Sequence, residues 1–197
     1  MHNKRLDACD KSEALISAII EKMSGMNKAR KKFILTILMM YLGLRGRYNF
    51  LNMARYGQYS EQTFRNQFSQ PFDFTEFNTI MIKTYCSSNL LNVFDPSYIP
   101  KSGKQTDHLG MFWSGCSQKA LKGLEIGGFA VVDVDNNTAF SLEAVQTPAS
   151  KELKAEGKTL VNHYASLVIE RKDILLSFSK YFGVDGYFAK KEFVQPI

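Results

Sequence analysis

Apolar side chains recur every three or four residues through the first 85 positions of the chain, a spacing that predicts helices. A first helix takes its cap from Asp10 or Ser12 and stops at Gly25. A second helix runs from a cap at Asn27 to about Leu44. Its apolar face comprises Phe33, Ile34, Ile37, Leu38, Tyr41 and Leu42. The first part of the chain is therefore predicted to be all-helical.

The segment from residue 49 to residue 68 has the dimensions of a helix-turn-helix unit. Asn49 caps a short helix over residues 50–56, and Gly57 supplies a left-handed stop. Ser60 then caps a second helix over residues 61–68. The side chains left outward on this second helix are Glu61, Gln62, Arg65 and Asn66. Such side chains can bond base edges or phosphates, although two short amphipathic helices around a glycine are common elsewhere.

Near residue 87 the pattern changes to strand-like alternation, which predicts a domain junction and an α+β fold. Strands are predicted over residues 90–94, 111–113, 121–133 and 139–146, with a charged connection at 151–158, a long helix over 159–179 and a short strand over 181–184. Gly127 and Gly128 predict a β-bulge or a close backbone approach. The last strand can lie parallel to the first, because the long helix provides a crossover between them.

Two aspartates stand at the ends of predicted strands. Asp95 follows the apolar residues 90–94, where Pro96 is expected to lead the chain out of the strand. Asp185 follows the short strand near the end of the sequence. The predicted crossover would place the two carboxylates side by side, where they would repel each other unless a divalent cation lay between them. The alternative for each is an aspartate that only starts a turn.

Three further acidic or aromatic features lie between these aspartates. Asp133 and Asp135 adjoin a hairpin signal at residues 135–138, so we interpret them as turn caps rather than catalytic acids. His108 and Trp113 follow the first strand-end aspartate and could contact DNA. Single residues of this kind more often have no special role.

Charge is placed unevenly along the chain. Residues 28–65 contain one acid, Glu61, and eight basic residues: Lys28, Arg30, Lys31, Lys32, Arg45, Arg47, Arg55 and Arg65. A basic module joined to a nearly neutral one suggests a polyanion-binding part beside a part with another task. A solvated basic face is the alternative interpretation.

Composition narrows the class of protein. With 197 residues, 45% of them apolar, the chain can bury a substantial core. The longest apolar run, residues 33–44, is too short to span a bilayer and predicts a buried helix, and the first residues lack the apolar core of a secretory signal. The spacing of Cys9, Cys86 and Cys116 fits free thiols in a reducing compartment.

Two short motifs resemble those of a known enzyme family. Residues 95–104, Asp-Pro-Ser-Tyr-Ile-Pro-Lys-Ser-Gly-Lys, resemble the first-aspartate motif of DDE-type bacterial insertion-sequence transposases. Residues 184–188, Val-Asp-Gly-Tyr-Phe, resemble the second-aspartate motif of the same family. The segment 47–68 is similar to the helical DNA-binding region that precedes the catalytic domain in such enzymes. The resemblance covers most of the chain from about residue 28.

This resemblance implies a helical DNA-binding region over residues 1–87 and a ribonuclease-H-like catalytic domain, incomplete, over residues 88–197. It implies that Asp95 and Asp185 hold Mg²⁺ or Mn²⁺ ions about 3.5–4 Å apart, for in-line attack on a DNA phosphodiester. Lys101 and Lys104 would neutralise nearby phosphates, or else form an ordinary solvated turn. The implied partners are transposon ends and target DNA, with a homodimer on DNA allowed and no membrane. The implied location is the bacterial cytoplasm, at the nucleoid.

The sequence departs from the family at the third acid, usually a Glu on a later helix. Among the 12 residues after Asp185 the only acid is Glu192, which lies too close to take that role. We therefore expect the N-terminal portion of a transposase, with little or no strand cleavage by these 197 residues. One alternative is a non-catalytic DNA-binding protein that inhibits transposition, and another is an unrelated metal-dependent nuclease of the same fold.

Overall fold

The computed structural model describes residues 7–197 and divides the chain into two compact units, up to residue 81 and from residue 82. The predicted first domain starts at residues 1–6, which lie outside the described part. The first unit is helical and the second combines helices with a mixed sheet, so the fold is α+β. The division falls before Ile82 rather than near residue 87, because Ile82 is fully buried in the core of the second unit.

The helices that begin in the first unit are α1 (Ala8–Lys22), α2 (Lys28–Gly43), α3 (Phe50–Tyr56), α4 (Glu61–Phe68) and α5 (Phe74–Tyr85). The bounds of α3 and α4 are those predicted, and Asn49 and Ser60 cap them by accepting bonds from backbone N–H groups. The predicted cap of α1 is wrong. Asp7 takes that position and accepts a 2.8 Å bond from the N–H of Asp10, which places Asp10 and Ser12 inside the helix.

Gly57 follows α3 for a different reason from the one predicted. Its φ of −106° and ψ of −179° are extended, so the left-handed stop is wrong. A Cβ at this position would lie 2.4 Å from Met40 Cε and 2.7 Å from the Met53 carbonyl oxygen. A glycine suits this position because a side chain would collide with the carbonyl oxygen of Met53 in α3 and would displace the end of the Met40 side chain on α2.

The core of the first unit lies under the predicted apolar face of α2. Its buried residues are Ile20, Phe33, Ile34, Ile37, Met53 and Phe64. Two members of the predicted face are instead exposed, namely Tyr41 at 38% and Leu42 at 65%. The stripe that packs inward is therefore narrower than the apolar sequence suggests.

The second unit is built on a five-stranded sheet formed by β1 (Leu90–Pro100), β2 (Gly110–Ser114), β3 (Lys119–Asp133), β4 (Thr138–Gln146) and β5 (Phe182–Gly183). β3 pairs antiparallel with β1 along one edge, and with β2 and then β4 along the other. β5 pairs parallel with β1, with Asn92 opposite Phe182 and Val93 opposite Gly183. This parallel pairing confirms the predicted crossover.

β1 continues past Pro96, which the sequence predicts to end it, and reaches Pro100. All 11 of its residues pair with β3. The N–H of Asn92 points away from β3, because it donates to the carbonyl oxygen of Tyr181 at 3.1 Å. Alternation gives Pro96 and Pro100 the same orientation. Neither proline therefore removes a hydrogen bond from the β1–β3 ladder, and the strand does not break.

The remaining elements are α6 (Ser150–Ala155), α7 (Leu160–Glu170), α8 (Lys172–Leu176), a 3₁₀ turn (Gly186–Phe188) and α9 (Lys191–Val194). The single long helix predicted for residues 159–179 is wrong, since the chain divides at Arg171. The guanidinium of Arg171 donates to both carboxylate oxygens of Glu143 on β4, at 2.6 and 3.0 Å. The predicted charged connection contains α6.

One face of the sheet packs against α7, α8 and α9, and we call it the covered face. Phe94, Phe129 and Val131 point into this core. A Cβ on Gly127 would lie 2.8 Å from the Phe94 ring, which confirms the predicted close approach. The irregularity in pairing with β4 lies between Phe129 and Ala130 instead. Alternate residues form the second face, which on β1 carries Asp95, Ser97 and Ile99.

The apolar run at residues 33–44 forms most of α2, and Leu44 follows it as the C-cap. Its predicted burial is only partial, since Tyr41 and Leu42 are exposed. None of the helices within residues 7–197 has the length and apolarity that crossing a bilayer would require. Cys9, Cys86 and Cys116 are free thiols.

Candidate functional site

The pairing of β1 with β5 brings Asp95 and Asp185 together. Val93 and Gly183 are opposite each other in the parallel ladder. Asp95 lies two residues further along β1, and Asp185 lies two residues past Gly183, beyond the end of β5 and at the cap of the 3₁₀ turn. The two aspartates therefore follow paired residues at the same end of the ladder. Their proximity has an electrostatic effect, because the charge of Asp185 contributes to a raised pKa of Asp95.

The Asp95 carboxylate is exposed and lacks hydrogen-bond donors. Partial desolvation is the larger cause of its raised pKa, and repulsion by Asp185 adds to it. Within residues 7–197 no side chain or backbone N–H bonds this carboxylate. Its direct neighbour on β3 is Gly128, which offers no side chain to cover it. The arrangement leaves two acids close together and open to a cation.

Asp185 has a local structural role as well. Its Oδ1 caps the 3₁₀ turn by accepting a 2.9 Å bond from the N–H of Tyr187. This bond fits the alternative prediction of a turn-starting aspartate. Oδ2 has no bonding partner within the described residues, so the cap and a ligand role are compatible.

Aromatic packing on the covered face holds the backbone at both aspartates. Phe188, 1% exposed, lies three residues after Asp185, and Phe94 comes directly before Asp95. Their ring centroids are 5.7 Å apart. Phe188 also contacts Tyr164 and Phe193, with centroid distances of 5.6 and 4.7 Å. The positions of the two acids therefore depend on one buried cluster.

Sequence reasoning missed two buried polar residues near this cluster. Glu125 accepts a hydrogen bond from the hydroxyl of Tyr164, and burial together with this bond raises the pKa of that tyrosine. Asn92 Nδ2 donates to the carbonyl oxygens of Leu175 and Ser179 at 3.0 and 2.8 Å, which ties β1 to the chain that leads into β5. The alternation along each strand could have found them. Both residues stand at even spacing from apolar residues that point inward, so their side chains were expected to point inward too.

Of the two acids at the β3–β4 hairpin, Asp133 caps the turn, as predicted, whereas the bond that Asp135 accepts comes from outside the turn. Asp133 is 0% exposed and accepts four hydrogen bonds, two from Ser87 and two from Asn136. These bonds lower the pKa of Asp133 below its usual range. Asp135 accepts a 2.9 Å bond from Asn89 Nδ2. Among residues 7–197 no group of three or more His, Cys, Asp or Glu side chains is arranged to hold a metal ion.

Arg30, one of the predicted DNA contacts, is buried at 8% exposure and points into the first unit. Its Nη1 donates to the backbone and side-chain oxygens of Gln67, each at 2.7 Å, and Nη2 donates to the Gln70 carbonyl oxygen at 3.1 Å. The guanidinium also lies over the ring of Phe33. These contacts join α2 to the end of α4, so we reassign Arg30 from a DNA contact to a structural role.

Three of the outward residues of α4, Gln62, Arg65 and Asn66, are exposed and Glu61 is partly buried, and the four form bonds among themselves. Arg65 pairs with Glu61 and lies over the Phe50 ring, and Gln62 donates to Asn66 at 2.8 Å. Lys31 on α2 is similarly paired, with Glu21 at 3.2 Å. The exposed Arg65–Glu61 pair is worth no more than about 1 kcal/mol, so a phosphate can displace it. Lys31 is less accessible to a phosphate, because its side chain is only 16% exposed.

Five predicted DNA contacts are both exposed and free of an ion-pair partner within the described residues. They are Lys28, Lys32, Arg45, Arg47 and Arg55. Two of them lie near the start of α2, whose first turn contains no acid to offset them. A cation there opposes the helix dipole, an arrangement that an external anion would relieve.

Lys101 and Lys104 lie in the loop between β1 and β2 and are exposed. Because β1 extends to Pro100, Lys101 stands six residues from Asp95, about 20 Å along the strand. These lysines therefore cannot neutralise a phosphate bound at the aspartates themselves. His108 in the same loop bonds Glu152 at 3.0 Å and lowers the pKa of that carboxylate.

A scan against models of known protein families finds none that matches this chain, and a search of curated proteins finds no match either. The geometry of the site and the motifs around it are the grounds for a functional proposal.

Proposed function

We propose that this chain acts on DNA as a DDE-type transposase, with Asp95 and Asp185 holding Mg²⁺ or Mn²⁺ at the carboxyl end of the β1–β5 ladder. The observation that carries the proposal is that both acids come two residues after paired positions, Val93 and Gly183, at one end of the parallel β1–β5 ladder. The effect of the Asp185 charge on the pKa of Asp95 supports it. Action on transposon ends and target DNA in a bacterial cytoplasm belongs to the same proposal.

The strand order supports a ribonuclease-H-like domain. β1, β3 and β4 form consecutive antiparallel neighbours, and β5 returns parallel to β1 after the helices. This is the order of strands and crossover that the resemblance implies. β2 adds a short strand at the far end of β3 and leaves the other pairings in place.

The residues present suit a hard divalent cation. Both acids supply carboxylate oxygens, the ligands that Mg²⁺ and Mn²⁺ prefer. Asp95 has no competing donor within the described residues, and Asp185 keeps Oδ2 free while its Oδ1 holds the turn. A bound cation would supply positive charge to polarise a phosphate oxygen and activate a nucleophile. The role of the aromatic cluster is to hold the two carboxylates in place.

Titration with Mn²⁺, followed by calorimetry, tests the site directly. We expect the full chain to bind Mn²⁺, and Asp95→Asn and Asp185→Asn each to abolish most of that binding. Asp135→Asn is the matched control, because Asp135 is an exposed acid in the β3–β4 turn that accepts one side-chain bond. Binding that survives both site substitutions, or no binding by the unsubstituted chain, would refute the proposal.

A second candidate is a DNA-binding protein that occupies DNA without cleaving it. It is favoured by the five exposed, unpaired cations of the first unit described above. If each contacts a phosphate, log K should fall against log salt with a slope of about −4.5. Since little or no strand cleavage is expected of two acids alone, metal binding separates the two candidates. Mn²⁺ binding that is lost in both aspartate variants would favour the transposase site. DNA binding by the unsubstituted chain and by both variants, without any Mn²⁺ binding, would favour the second candidate.

A further inference from the structure

The tryptophan of the chain stands exposed on β2. Trp113 is 62% exposed and its neighbour on the same face, Met111, is 58% exposed. The alternate residues Phe112 and Ser114 are only 4% and 5% exposed. The strand therefore buries one face and presents an indole ring and a thioether on the other, where a large apolar side chain gains nothing from the core.

Lysines surround this exposed pair. Lys122 lies directly opposite Met111 in the β2–β3 ladder and is the diagonal neighbour of Trp113. Its ammonium donates to the carbonyl oxygen of Gly103 at 2.9 Å, which holds the turn containing Lys101 and Lys104 beside β3. From residue 100 to residue 122 there are four lysines and one acid, Asp107. The surface is therefore both aromatic and cationic.

This surface lies on the same face of the sheet as Asp95. The pairings place Asp95 opposite Gly128, Met111 opposite Lys122 and Trp113 opposite Ala120. Position 128 is separated from positions 122 and 120 by even numbers of residues along β3, so all of these side chains share the second face. Ser97 and Ile99 continue that face along β1.

The path from the acids to the indole has the length of a short DNA segment. The partners of Asp95 and Trp113 on β3, Gly128 and Ala120, are eight residues apart. The two side chains also lie on strands that flank β3, two strand spacings apart. The distance between them is therefore about 25–30 Å. At about 3.4 Å per nucleotide of a stacked strand, this is roughly seven to nine nucleotides.

We propose that this surface binds the DNA strand that extends away from the Asp95–Asp185 site, with Trp113 stacking on an unpaired base. The surface comprises Trp113, Met111, Lys122, Lys101 and Lys104. The lysines match the phosphate charge, and an exposed indole stacks on any base irrespective of sequence. This inference rests on the proposed function in one respect, namely that the bound DNA strand starts at the two aspartates. The surface itself can be tested separately.

The intrinsic fluorescence of Trp113 provides the test, since the chain contains one Trp. The full chain is titrated with a duplex that ends in an eight-nucleotide single-stranded tail, and separately with the same duplex without the tail. We expect the tailed DNA to quench the fluorescence of the unsubstituted chain. Because the Trp113 variants contain no tryptophan, their affinities are measured from the anisotropy of end-labelled DNA, and we expect Trp113→Ala to bind the tailed DNA about tenfold more weakly. Trp113→Phe should keep most of the affinity, and Lys122→Gln should reduce the salt slope by about one.

Leu176→Ala is the matched control, because Leu176 is 54% exposed on α8 and its truncation should leave DNA binding unchanged. Thermal denaturation checks that Trp113→Ala remains folded. Equal affinity of the folded Trp113→Ala variant and the unsubstituted chain for tailed DNA would overturn the inference. So would a fluorescence change that depends only on protein concentration, which would indicate a protein–protein contact at β2.

The two proposals fail in different ways. Loss of Mn²⁺ binding with the Trp113 effects intact would refute the aspartate site and keep the DNA surface. Mn²⁺ binding that requires both aspartates, without any effect of Trp113 on tailed DNA, would keep the site and refute the surface.

Discussion

Asp133 and Asp95 lie on neighbouring strands of one sheet, yet their surroundings are opposite. Asp133 is fully buried and accepts four hydrogen bonds, which lower its pKa. Asp95 is exposed, has no donor within the described residues and faces another acid, and its pKa is raised. The same side chain is a structural anchor where donors converge on it, and a candidate cation ligand where they do not.

The largest effect is expected at the anchor. Asp133→Ala would leave the N–H groups of Ser87 and Asn136 without their acceptor, and we expect it to lower the urea midpoint more than the other substitutions suggested below. Asp135→Ala should change the midpoint little. A small effect of Asp133→Ala would contradict the anchor role.

The anchor also has a definite pH dependence. Since its pKa is lowered in the folded state, its stabilisation is complete at neutral pH and is lost as the pH falls below about 4. Asp133→Asn should therefore show a flatter loss of stability in acid than the unsubstituted chain. Urea unfolding at a series of pH values measures this difference.

Removal of the Phe188 ring should weaken the site at Asp95 and Asp185 and leave the hydrogen bonds of Asp133 unchanged. Phe188→Ala would cost about 3 kcal/mol or more of unfolding free energy, because it empties a fully buried position. It should also weaken Mn²⁺ binding, since Asp185 lies on the same 3₁₀ turn. Phe188→Leu is the control and should cost less than about 1.5 kcal/mol. Unchanged Mn²⁺ affinity in folded Phe188→Ala would show that this packing does not position Asp185.

Metal should stabilise the folded chain only by binding at Asp95 and Asp185. At a Mn²⁺ concentration ten times the dissociation constant, linkage adds about 1.4 kcal/mol to the unfolding free energy. Thermal denaturation with and without Mn²⁺ measures this gain. Asp185→Asn should remove it and Asp135→Asn should retain it. A gain that persists in Asp185→Asn would place the metal elsewhere.

The smallest effect is expected from Asp95 without metal. Because the fold raises its pKa, the folded state binds more protons than the unfolded chain just above pH 4, and stability falls as the pH rises through the raised value. Asp95→Asn should therefore stabilise the metal-free chain at pH 7, by less than about 1 kcal/mol given its exposure. No gain is expected at pH 3. Destabilisation at pH 7 would contradict a carboxylate that lacks compensating donors.

The helices around the turn at Gly57 show what local pattern can predict. Side chains within a few residues of one another determine where α3 and α4 begin and end, and which residues cap them, namely Asn49 and Ser60. The role of Gly57 does not, because it depends on Met40, which lies on another helix. Arg30 differs from the other basic residues of α2 for the same reason, since its partners are about 40 residues away.

At the candidate site the sequence determined which groups could act, and the tertiary structure decided which of them meet. Motif and periodicity predict two acids that follow strands, a crossover between those strands and a basic loop. The meeting of Asp95 and Asp185 at one end of the β1–β5 pair required the register of a two-residue ladder. The separation of Lys101 from Asp95 followed from β1 pairing with β3 beyond Pro96. Local patterns specify elements because their interactions are local, whereas register and distance arise from contacts between residues far apart in the chain.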